Sequence, residues 1–193
     1  MSLLLKENPT KHSSKSITHF FMILLISVCV GCISNLIEYE DSTYSRLDDE
    51  RNEKLALKNI KSVLSSLQGT NIHVKSFKGT VLITGQVISQ DYISLATNAV
   101  ESMRNVAAVH NELVIAGPTS IISRTNDAYL SSKIQAKLAS SKDIEAKRIR
   151  VVTENGVAYL MGHVTQQEAE IVVDETKQVY GIQKIIKVFE YLN

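Results

Sequence analysis

Residues 79–87 (GTVLITGQV) and 156–164 (GVAYLMGHV) share the pattern G-x5-G-x-V at an offset of 77, and Ile72-His-Val74 falls on Ile149-Arg-Val151 at the same offset. A chain that repeats itself in this way builds one supersecondary unit twice, so the fold reduces to that unit and to how two of them meet. In each copy two short apolar or alternating runs flank a glycine-containing turn, Lys78-Gly79 and Asn155-Gly156, which reads as a hairpin.

Helical spacing brackets each hairpin. Leu57, Ile60, Leu64 and Leu67 precede the first, and Leu130, Ile134 and Leu138 precede the second. After the hairpins, Ile93, Ala96, Val100 and Met103 form one helical face, and Ala169, Val172, Val173, Thr176 and Tyr180 form the other. Thr165-Gln-Gln-Glu168 has the form of a capping box. An apolar run closes each copy, Val109 to Ile115 and Ile185 to Tyr191. The order α-β-β-α-β predicts an α+β fold in which both helices cover one face of a three-stranded mixed sheet. Units this small bury a modest core, so the copies are expected to pack against each other or against a partner.

The chain begins with Lys6, Lys11 and Lys15 against a single Glu7, followed by the apolar run Phe20 to Val30 and then Cys29-Val-Gly-Cys32. A basic start, a short apolar run and small residues at its end mark a secretory signal, and the run falls short of the roughly 20 apolar residues that span a bilayer. The C-x-x-C spacing lacks both the βαβ setting of a redox dithiol and a second ligand pair for zinc. Cys29 to Cys32 resembles a bacterial lipobox, which would make Cys32 the lipidated N-terminus of the mature chain; a signal anchor or an ordinary cleaved signal is the alternative. Residues 33–56 hold three basic residues against seven acidic ones and few apolar side chains, which reads as a solvated tether. The expected divisions are a signal over 1–31, an acidic tether over 32–53, a first domain over 54–116, a linker over 117–123 and a second domain over 124–193.

The G-x5-G-x-V core in both copies resembles that of BON domains. Together with a signal, a lipobox, an acidic tether and a tandem pair, it makes the chain similar to the dual BON-domain lipoproteins of the bacterial envelope. The second copy carries the closer match, in Asn126-Asp-Ala-Tyr-Leu-Ser-Ser-Lys133 and Thr153 to Gly162. The resemblance implies a non-enzymatic lipoprotein of the outer membrane facing the periplasm. Ile33 after the cysteine, in place of Asp, resembles the outer-membrane sorting rule.

The residues themselves offer no catalytic constellation. The glycine pair Gly79/Gly85 is followed by no Lys-Ser/Thr, so it reads as turn and close-packing chemistry rather than a phosphate loop. His73, His110 and His163 lie at no metal-ligand spacing with one another or with Cys, no serine sits on a strand-turn-helix elbow, and no cofactor is implied. The net charge of +1 gives no reason to expect a nucleic-acid partner. The second copy is polarised, however: six basic residues stand against three acidic ones from Asp127 to Arg150, and three against six from Val151 to Asn193.

Beside the Leu130/Ile134/Leu138 stripe runs a neighbouring one of Tyr129, Lys133 and Lys137, with small Ala136 and Ser140 alongside. An aromatic with a polar tip next to lysines suits a phospholipid headgroup layer. On the residues alone, a partly buried core Tyr129 beside a merely solvated lysine face is the favoured reading, and the resemblance reverses that preference. The resemblance implies that this helix is the phospholipid-contacting element, with phosphatidylglycerol or cardiolipin as the anionic lipid and a role in envelope integrity and division-site localisation. A protein-interaction module that docks an envelope assembly or quality-control factor is the alternative.

Overall fold

The computed structural model describes residues 46–117 and 121–192. The expected signal, Cys29, Cys32 and the tether up to residue 45 lie outside the described residues.

The first copy runs α1 (46–63), β1 (Asn71–Phe77), β2 (Thr80–Val87), α2 (Gln90–Glu101) and β3 (Ala108–Ile115). The second runs α3 (Ile121–Ser140), a 3-10 turn (Ala146–Arg148), β4 (Ile149–Glu154), β5 (Val157–Val164), α4 (Gln166–Lys177) and β6 (Lys184–Tyr191). In each copy the central strand of the G-x5-G-x-V core pairs antiparallel with the preceding strand and parallel with the last. Each copy is therefore the α+β unit expected, with the order β1-β2-β3 or β4-β5-β6.

The glycines of the repeat divide their work. Lys78 and Gly79, and likewise Asn155 and Gly156, all have positive φ (49° and 83°, 49° and 75°), the conformation of a two-residue type I′ hairpin turn. The second glycine of each motif answers to crowding. A Cβ on Gly85 would lie 1.9 Å from the Asn71 carbonyl oxygen, and one on Gly162 would lie 2.7 Å from that of Arg148. Only glycine lets the hairpin partner come so near.

Alternation along the central strands separates two cores. Val81, Ile83 and Val87 face α1 and α2, where they pack with Ala56, Ile60, Tyr92, Ala96 and Val100. Ala158, Leu160 and Val164 face α3 and α4, against Leu130, Ile134, Leu138, Ala169 and Val172. The other faces meet: Leu82 joins Tyr159, Met161 and Val188 in a third buried cluster, flanked by Phe77, Val152, Val157 and Ile186. Residues 46–192 thus stack helices, sheet, sheet, helices, and every residue of β2 is buried. At the margins, Arg150 donates to the Ser76 carbonyl (2.7 Å) and pairs with Glu53 (3.2 Å), and Gln86 donates to Glu154 (3.0 Å). The two copies pack against each other through their sheets.

Three sequence readings need correction. The acidic stretch expected to be tether through residue 53 is helical from residue 46, so the first unit starts earlier than residue 54. Asp49 (5 % exposed), Asn52 and Glu53 face inward, where hydrogen bonds satisfy them, so an apolar pattern could not reveal that turn of helix. Leu67 lies beyond the end of α1 and is exposed, and the core stripe of α1 is Ala56, Ile60 and Leu64, with Leu57 only partly buried. The linker expected over 117–123 is cut short by α3, which begins at Ile121.

Candidate lipid-facing helix

Hydrogen bonds on one flank fix the rotation of α3. Asp127 accepts from the backbone N–H groups of Asn155 (2.7 Å) and Gly156 (2.9 Å), which ties the helix to the β4–β5 turn. Ser131 Oγ donates to Thr153 Oγ1 (2.9 Å), and Gln135 donates to the carbonyls of Ala146 and Ile149. With Leu130, Ile134 and Leu138 pointed into the core, steps of 100° per residue leave Tyr129, Lys133, Ala136 and Ser140 on the outward face.

That face is open. Tyr129 is 60 % exposed and not a core residue, and Ala136, Lys133 and Ser140 are exposed around it. The Lys133 ammonium stands 5.8 Å from the centre of the Tyr129 ring, a cation–π distance that orders two side chains at an exposed site for about 0.5–1 kcal/mol. Ser140 Oγ donates to the Lys137 carbonyl (2.7 Å), closing the last turn. Lys137 differs from its neighbours: its ammonium is 2.9 Å from Glu175 on α4 and only partly exposed, so its charge is shared with a carboxylate.

Tyr180 departs from its expected place on the inner face of α4. That helix ends at Lys177, its last turn closes with Val179 N–H donating to Thr176 O (3.0 Å), and Val179 takes the buried position. Tyr180 is left 93 % exposed on the turn that leads to β6.

The sequence reading counted Asp49 and Asp127 only as charges and gave them no structural role. Asp49 accepts from the N–H groups of Lys78 (2.9 Å) and Gly79 (3.3 Å) and from Ser76 Oγ (2.7 Å), as Asp127 accepts from the equivalent turn. Each ties the first helix of its copy to the hairpin, and their offset of 78 almost matches that of the glycines. The repeat would have disclosed them had the first helix been started early enough.

A shallow cleft of about 340 Å³ runs between the copies, lined by His73, Lys75, Arg124, Asp127, Arg150 and Glu154 among others. Asp127, Arg150 and Lys75 are committed to the turn, to Ser76 and Glu53, and to Glu53 respectively. His163 sits at the interface, edge-on to Phe77 and 2.8 Å from Glu190. Among the described residues no three His, Cys, Asp or Glu side chains gather as metal ligands, and no helix is long and apolar enough to cross a membrane.

Two hairpin-and-helix units of this order, each with a helix carboxylate tied to a glycine turn, define a tandem repeat of small α+β domains whose exposed chemistry lies on helix faces. The BON domain model matches residues 48–117 and 126–193, and the chain belongs to that family. It is similar to the outer membrane lipoprotein DolP of Haemophilus influenzae, with 29% identity over 79% of each chain. It is also similar to a 21 kDa hemolysin of Actinobacillus pleuropneumoniae, with 25% identity over 78% of each, and to the osmotically-inducible protein Y of Escherichia coli, with 24% identity over 75% of each.

Proposed function

We propose that this chain is a non-enzymatic lipoprotein of the outer membrane, held by acyl chains on Cys32 and facing the periplasm, whose second BON domain binds anionic phospholipid through α3. The observation that carries the reading is the pairing of an outward, 60 % exposed Tyr129 with Lys133 over its ring. An aromatic body with a polar tip partitions to the headgroup level, and the lysine meets phosphates there. Ala136 and Ser140 keep the face low enough for the helix to lie close to the surface. Lys133 supplies a cation with no carboxylate partner among the described residues, and Lys137 contributes once lipid phosphate replaces Glu175. The anchoring of DolP, named an outer membrane lipoprotein, supports the placement. The lipobox-like Cys29-Val-Gly-Cys32 supports the anchor. Such a domain would support envelope integrity by gathering where phosphatidylglycerol or cardiolipin is rich, the division site included.

The test is flotation of residues 46–193, without the anchor, on phosphatidylglycerol and on phosphatidylcholine vesicles. The expected result is salt-sensitive binding to the anionic vesicles alone, weakened about fivefold by Lys133→Ala, since each lysine near an anionic surface is worth about 1 kcal/mol, and at least as much by Tyr129→Ala. Binding indifferent to both substitutions would sink the α3 assignment and favour a docking module for an envelope assembly or quality-control protein.

A further inference from the structure

Tyr180 is 93 % exposed on the α4–β6 turn, a position with no packing return for a large ring. The turn does not stand apart from α3. Gly181 has φ of 106°, and a Cβ there would lie 3.1 Å from Leu130 Cδ2, so the turn backbone rests on the residue next to Tyr129. The α4–β6 turn therefore neighbours the first half of α3, and the Tyr129/Lys133/Lys137 stripe lies on the α4 side of that helix, where Lys137 pairs with Glu175.

The first copy provides an internal comparison. Asp49 and Asp127 make the same turn bonds, so α1 and α3 align at an offset of 78, which sets Tyr129 against Arg51. After the second helix the offset is 76: Met103 N–H donates to Val100 O and Val106 N–H to Met103 O, as Val179 does to Thr176 and Ile182 to Val179. This sets Tyr180 against Arg104. The two positions adjoin in the first copy as well, because Asn52, next to Arg51, donates to the carbonyl of Asn105, next to Arg104 (3.1 Å). One spatial pair thus holds two arginines in the first copy and two exposed tyrosines in the second.

We propose that Tyr180 is a second interfacial contact, which with Tyr129 gives the second copy a two-point aromatic footing in the lipid headgroup layer. The proposal rests on the reading of α3 given above and adds an orientation to it. One ring leaves the whole copy free to roll on the bilayer about that contact, whereas two rings on separate elements fix which face of the copy meets the bilayer. Lys133 beside Tyr129 and Lys177 at the end of α4 give this surface the charge that suits anionic lipid, Lys177 being shared with Asp174.

The chain has no tryptophan, so a single indole reports its own depth. The full-length chain would be reconstituted in phosphatidylglycerol/phosphatidylethanolamine vesicles containing brominated lipids, as Tyr129→Trp, Tyr180→Trp and Arg104→Trp variants. The expected result is a blue-shifted emission and quenching of the same order for Tyr129→Trp and Tyr180→Trp, with Arg104→Trp unquenched. Quenching in Tyr129→Trp but not in Tyr180→Trp would overturn the two-point footing and leave the α3 reading standing. Quenching in neither would overturn both and point to a protein partner for the tyrosines. Equal quenching in all three would overturn the footing by showing mere closeness to the anchor.

Discussion

Asp49 and Asp127 do the same task in the two copies, accepting backbone N–H groups of a hairpin turn whose residues have positive φ. A buried carboxylate is tolerated there because the turn presents its donors together, and the bond lets the first helix hold the hairpin in register. Asp127→Ala leaves the Asn155 and Gly156 donors unpaired beneath α3, so we expect a loss of about 1–3 kcal/mol in urea unfolding. Asp49→Ala should cost at least as much, since it also strips Ser76 of its acceptor. Neutral unfolding midpoints in both variants would show that the turns hold without the helices. These aspartates escaped the sequence reading because charged residues were assigned to solvent. The glycines were legible because their spacing repeats, and the structure adds the reason for Gly85 and Gly162, a carbonyl oxygen where a side chain would stand.

Among the elements, α4 shows its start most plainly. Thr165 and Glu168 form the capping box that the sequence announced, and Arg148 joins Glu168 from the 3-10 turn. The Thr165 N–H, then its hydroxyl and Arg148, hold the Glu168 carboxyl below the ordinary glutamate value of 4.5, against the opposing effect of burial. A depressed carboxyl stabilises the fold above its unfolded pKa, and that contribution disappears as pH falls through the lower folded value. Glu168→Gln should therefore be less stable than the native chain in neutral buffer, with the gap closing well below pH 4.5, as chemical denaturation at the two conditions would reveal. A gap independent of pH would assign the effect to packing. The end of α4 was less legible than its start. Tyr180 continues the helical spacing of Val172, Val173 and Thr176, but no residue type there signals that the chain turns away after Lys177. Helix α1 failed in the opposite sense, its first turns concealed because Asp49, Asn52 and Glu53 take inward positions that apolar periodicity cannot register.

At the scale of the molecule, the copies share the interface of Leu82, Tyr159, Met161 and Val188. Burial there pushes the Tyr159 hydroxyl up to about 12, helped by Glu112 and Glu154, which keeps it neutral at any ordinary pH. With one face of each sheet used in this way, the two copies should unfold as one cooperative unit. Calorimetry of the native chain is expected to show a single transition. Leu82→Ala should lower it by about 2–5 kcal/mol, the usual loss for a buried leucine, and Leu82→Asp should split it. Two independent transitions in the native chain would contradict the shared core. That the copies need cover was legible from their size; that they cover each other was not, because Leu82 and Tyr159 alternate with core residues in runs apolar on both faces.

The mutual cover has a consequence for how such a chain can vary by descent. Neither copy can be lost or exchanged without baring the sheet of its sibling, so the duplication is locked in, and the strands are held to what the seam accepts. Drift is left to the surfaces turned away from it, the helices and their exits. There the two copies have parted company, one with arginines where the other shows tyrosines.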